Sequence, residues 1–183
     1  MAIRGLLHGL RCRRAGGFCG LTGDIDHQPR VVDEGICIGG RLQHIIEQNA
    51  PNRTILVLSP GIYPFWPLVN YIGGRMTTRF LTMWVLQGVY ATCDDFPALY
   101  NPPDTMGDSE KFVFDTVSED FAREHPDLLI VDRIAGVPRC QGKEFDYLDY
   151  FMQNRVFADA FENYEHLMDF DRYRIYRRKK LKK

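Results

Sequence analysis

Apolar residues run along this chain in blocks whose period changes, and each change marks an element boundary. From Gly40 to Asn49, Leu42, Ile45 and Ile46 recur at helical spacing between the breaks Gly39-Gly40 and Pro51-Asn52, which predicts a short amphipathic helix. The segment Arg53-Thr-Ile-Leu-Val-Leu-Ser59 is apolar without alternation, the pattern of a strand covered on both faces. Prolines at 60, 64 and 67 then exclude a long regular strand through Tyr71 and leave a structured loop or short helix rich in Tyr, Phe and Trp. Met76 to Tyr90 is apolar with no single period, and a Pro-rich loop through Pro102-Pro103 follows. Asp108-Ser109 with Glu110 is a helix-start signal, and Phe112, Val113, Val117 and Phe121 supply the apolar stripe of the clearest helix, from about Ser109 to Glu124. It stops at His125-Pro126, and Asp127-Leu-Leu-Ile-Val-Asp132 reads as a second buried strand. Phe145 to Tyr164 is helical in character with many aromatics, and Tyr173-Arg-Ile-Tyr-Arg177 alternates as a final edge strand.

A helix that hands directly to an apolar strand is the unit of a parallel α/β sheet. The pattern therefore predicts a single α/β domain of three layers, with a mainly parallel central sheet flanked by helices. In it Ile55, Leu56, Val57 and Leu58 lie beside Leu129, Ile130 and Val131 on adjacent strands. Residues 1–30 show no sustained period and are rich in Gly and Arg, so the domain is expected over 31–178, between a basic leader and a basic tail at 179–183. At 183 residues, 45% hydrophobic and 13% aromatic, the chain is long and apolar enough for one core.

Charge adds an asymmetry that the net value of -1 hides. Residues 1–20 hold four Arg and no acid, and residues 174–183 hold seven Lys or Arg and no acid, leaving an acidic middle. The run Arg177-Arg178-Lys179-Lys180-Leu181-Lys182-Lys183 suits an anionic membrane surface, or stands as a solvated tail. The acidic body argues against a specific nucleic-acid platform. The first residues are basic, but their broken apolar patch falls short of the ~7–15 residues of an export signal's core. The longest apolar run, Ile55 to Ile72, is interrupted by Gly and Pro, short of the ~18 apolar residues of a membrane helix, so the chain is expected to be soluble. The cysteines at 12, 19, 37, 93 and 140 form no C-x-x-C pair or His/Cys cluster, so they read as ordinary buried thiols and imply no metal.

Candidate chemistry is thin. Gly35-Ile-Cys-Ile-Gly39-Gly40 fits neither dinucleotide nor P-loop spacing and reads as a helix-entry turn. Paired acids at Asp94-Asp95, Glu119-Asp120 and Asp146 with Asp149 suit solvated positions better than acid and base roles. Ser59 follows the first strand, where open α/β sheets bind ligands, but has neither a G-x-S-x-G context nor a His placed as base. No catalytic residue and no cofactor is expected. Tyr63, Trp66, Asn70, Tyr71, Arg75, Arg79 and Trp84 carry the rings and charges that stack on a sugar or hold a phosphate. Asp132, after the second strand, is a further site candidate by position, with a local Asp132-Arg133 ion pair as the alternative. The ligand-binding set is thus Ser59, Tyr63, Trp66, Asn70, Arg75, Arg79 and Asp132, for a saccharide or phosphate group.

The order of Ile55-Leu-Val-Leu-Ser59, Tyr63-Pro64, Asn70-Tyr71, Arg79-Phe80, Trp84, Pro126-Asp127-Leu-Leu-Ile-Val-Asp132, Phe145-Asp146-Tyr147-Leu148 and Tyr173-x-Ile175-Tyr176-Arg177-Arg178 resembles the soluble carboxyl-terminal region of bacterial polytopic membrane glycosyltransferases that use polyprenyl-phosphate sugars. The resemblance spans about residues 35–178. It implies an appendage without the membrane helices whose loops carry the catalytic acid: a fragment, a mis-started reading frame or a stand-alone relative. It also implies the periplasmic face of the inner membrane, whereas a complete chain without an export signal would be cytoplasmic.

Three classes follow from these readings. One is a non-catalytic domain linked to membrane sugar transfer. The second is an independent α/β enzyme acting on a phosphorylated or nucleotide substrate. The third is a protein-interaction module using exposed aromatics in Phe145 to Tyr164.

Overall fold

The computed structural model describes residues 29–92, 99–138, 140 and 142–180, with side chains from residue 38 onward. The elements run α1 (Pro29–Asn49), β1 (Thr54–Leu58), α2 (Phe65–Tyr71), β2 (Arg75–Met76), α3 (Trp84–Val89), α4 (Asp108–Glu124), β3 (Leu128–Asp132), α5 (Tyr147–Met152), α6 (Arg155–Phe161), β4 (Tyr164–Phe170) and β5 (Tyr173–Arg178). They form one α/β domain on a five-stranded sheet of order β2-β1-β3-β5-β4.

β1 is parallel to both of its neighbours, and the pairing Ile55↔Leu128 through Leu58↔Val131 places the two apolar runs side by side as expected. β5 is antiparallel to both β3 and β4. The sheet is therefore mixed, which corrects the expected mainly parallel one. Only Asp171 and Arg172 separate β4 from β5, and so short a connection permits antiparallel pairing alone. The last strand is not an edge either: β5 lies inside the sheet and β4 forms the border.

Side-chain alternation divides β1 and β3 between two cores. Ile55, Val57, Leu128 and Ile130 face Leu42 and Ile46 of α1 and Phe65, Leu68 and Val69 of α2. Leu56, Leu58, Leu129 and Val131 face Leu86 of α3, Val113, Val117 and Phe121 of α4, and the aromatics of α5 and α6. Helices thus cover both faces, which explains apolar runs without alternation. Burying each such Val, Leu, Ile or Phe contributes about 1.5–3 kcal/mol.

α4 matches its expected span, with Phe112 left exposed and Val113, Val117 and Phe121 buried. It ends where His125 turns left-handed (φ 45°), its N–H bonded to the Phe121 carbonyl at 3.1 Å, and Pro126 cannot continue the ladder. The first helix is longer than its apolar spacing indicates. It starts at Pro29, so Gly35 to Gly40 lies within it and is not a helix-entry turn. Each Gly weakens a helix by about 1 kcal/mol without ending it.

The aromatics between Phe145 and Tyr164 are core rather than surface. Phe145, Tyr147, Tyr150, Phe151, Phe157 and Tyr164 are all buried, which removes the basis for an interaction module built on them. Tyr150 and Tyr90 both donate to Glu110 Oε1, at 3.0 and 2.5 Å, and Asn101 Nδ2 donates to Glu110 Oε2 at 2.7 Å. One buried carboxylate thereby ties α3, α4, α5 and a loop together.

Candidate functional site

β1 and β3 are parallel neighbours whose chains leave the sheet toward opposite faces, β1 to α2 and β3 to α5. Such a divergence opens a crevice at the carboxyl ends of the strands, the place where open α/β sheets hold ligands. Here side chains close it from below. Ser59 Oγ donates to Asp132 Oδ2 at 2.9 Å and accepts the Gly61 N–H at 3.3 Å. Asp132 Oδ1 receives the Ile134 N–H at 2.9 Å and Arg172 Nε at 2.7 Å. Arg172, from the β4–β5 turn, also donates through Nη2 to the Ile134 carbonyl at 2.9 Å. Burial alone would lower the Arg172 pKa, but its hydrogen bond to the Asp132 carboxylate outweighs that and holds it above its ordinary value.

The loops around this triangle are tied down as firmly. The Met83 N–H bonds to the Ser59 carbonyl at 2.8 Å, and Tyr147 donates its buried hydroxyl to the Ala135 carbonyl at 2.7 Å. Burial first, and then the Asp132 carboxylate, push the Tyr147 phenol up, so it stays a neutral donor. Gln87 Nε2 reaches the Gly136 carbonyl at 3.1 Å, joining α3 to the loop after β3. Gly136 is left-handed (φ +69°), and a Cβ there would stand 2.1 Å from Gln87 Nε2.

Ile62, Tyr63, Leu81, Trp84 and Ile134 are each between 53% and 66% exposed. They come from the loop after β1, the approach to α3, its first residue, and the loop after β3. The same segments carry no formal charge: none from Ser59 to Gly74, from Phe80 to Thr92, or from Ile134 to Pro138, in a chain that is 26% charged. The opposite, amino edge carries ion pairs of its own. There Arg75 pairs with Glu124 at 2.8 Å, Arg178 with Asp127 at 3.2 Å and Arg177 with Glu165 at 2.6 Å. The carboxyl edge has charges as well, on neighbouring segments: Arg133 pairs with Asp169 at 3.6 Å and Arg172 with Asp132 at 2.7 Å.

The expected site residues divide accordingly. Ser59 and Asp132 meet, and Tyr63 is exposed on the loop after β1. Trp66 is half-buried on α2 with its Nε1 buried and unpartnered, and Asn70 is exposed at the far end of the same helix. Arg75 and Arg79 do not join Tyr63. Arg75 lies beside the start of β1, and Arg79 is held on α4 by Asp120, through its backbone N–H at 3.0 Å and its Nε at 3.1 Å. Asp132 pairs with Arg172, not with the adjacent Arg133, whose guanidinium turns to Asp169 at 3.6 Å. Asp146 caps α5, accepting from the Leu148 N–H at 2.8 Å, and Asp94-Asp95 lie outside the described residues. Ile62, Leu81, Ile134 and Arg172 were not expected. For Ile62 and Leu81 the signal is the uncharged runs from Ser59 to Gly74 and from Phe80 to Thr92.

Among the described residues no group of His, Cys, Asp or Glu converges to hold a metal, and no helix is long and apolar enough to cross a membrane. Cys140 is disulfide-bonded, which corrects its reading as a free thiol. The nearest other cysteine in sequence is Cys93, so no spacing motif announces the bridge. Cys12, Cys19 and Cys93 lie outside the described residues.

Neither protein-family models, nor curated proteins, nor solved structures give a match to this chain. The likeness to the membrane glycosyltransferase region rests on the sequence motifs alone.

Proposed function

We propose that this chain is a non-catalytic α/β domain, the appendage of a membrane glycosyltransferase, and that it works as a binding module through the carboxyl edge of β1 and β3. The observation that carries the reading is that Ile62, Tyr63, Leu81, Trp84 and Ile134, on the loops after β1 and β3 and around the start of α3, are apolar and more than half exposed, while Ser59 and Asp132 beside them are buried and tied. Exposed apolar clusters of this kind mark interaction surfaces.

The non-catalytic part follows from reach. Ser59 and Asp132 are each 2% exposed and spend their hydrogen bonds on each other, on Arg172 and on backbone N–H groups, so no substrate atom has access to them. A saccharide needs donors and acceptors around its stacking ring, and a phosphate needs open cations. Arg75 and Arg79 are engaged on α4, so both ligands have less support than apolar docking. The disulfide at Cys140 favours an oxidising compartment, in keeping with a periplasmic site.

Photo-crosslinking in cells tests the working face. A benzophenone side chain placed at position 84 is expected to give adducts with membrane components, and one at the similarly exposed Phe112 on α4 is not. Equal adducts from both positions, or none from position 84, count against the assignment. Turnover of any donor sugar by the purified chain would refute the non-catalytic part.

A further inference from the structure

We draw no further inference here: the strongest candidate, the depression along α4 lined by Arg79, Lys111, Phe112, Asp115, Thr116 and Glu119, has both of its cations already paired with carboxylates of α4 itself, and nothing in the structure points to a ligand for it.

Discussion

Asp132 closes the crevice of this sheet because a local donor, the Ile134 N–H, and two from distant parts of the chain, the Ser59 hydroxyl and the Arg172 guanidinium, converge on one carboxylate. Ser59 and Asp132 could be anticipated as the polar ends of two apolar runs. Arg172 could not, since it is 40 residues from Asp132 and only the β4–β5 turn delivers it. Ser59→Ala strips a donor from a buried carboxylate and is expected to cost about 1–3 kcal/mol, read as a lower denaturation midpoint with unchanged slope. An unaltered midpoint would mean that the triangle does not hold the loops. Asp120 tests the electrostatics. Burial raises its pKa, but the Arg79 side chain and N–H, and then Arg123, outweigh that and hold it below the ordinary 3.8. A carboxyl depressed in the folded state stabilises fully above its unfolded value, and that contribution is lost as pH falls through the folded one. Thermal stability should therefore drop below pH 3.8. Asp120→Asn should lose roughly 1–3 kcal/mol at neutral pH and show a shallower acid decline. An identical acid profile in the variant would remove Asp120 from the account.

Elements were legible in proportion to how much of their surface is buried. β1, β3 and α4 announce themselves because their apolar positions are dictated by packing on one or two faces. β4 was missed, its segment Tyr-Glu-His-Leu-Met-Asp-Phe being largely exposed, with a bulge between His166 and Met168 that breaks the alternation. Without β4 in view, β5 reads as an edge and the sheet as more parallel than it is. Ile130→Ala, in the centre of β3, should cost about 2–5 kcal/mol, measured by chemical denaturation. A loss under 1 kcal/mol would contradict its place between α1, α2 and the sheet. Gly136→Ala tests the link from α3 to the loop after β3. The positive φ opposes a Cβ there, and the new atom would push the Gln87 amide off the Gly136 carbonyl. The variant should be destabilised by more than about 1 kcal/mol, with faster amide exchange in 134–138 and little change in β1.

At the scale of the whole molecule the decisive feature is the set of exposed apolar residues on the loops that follow β1 and β3 and around the start of α3. Chemistry read residue by residue assembled a cleft from Tyr63, Trp66, Arg75 and Arg79, because those rings and cations are close in sequence. The parallel pairing of β1 and β2 separates them, setting Arg75 at the amino edge and leaving Tyr63 at the carboxyl edge. The pattern that survives folding is the exposure of large apolar residues on the loops after β1 and β3 and around the start of α3, a property of segments rather than of side chains. Radical footprinting of the chain at its native membrane, compared with the purified chain, tests this directly. The account predicts protection at Ile62, Tyr63, Leu81, Trp84 and Ile134, with Phe112, Met152 and Val156, exposed on other faces, labelled equally in both states. Protection centred on α4 or α5, with the carboxyl-edge residues labelled as before, would contradict it.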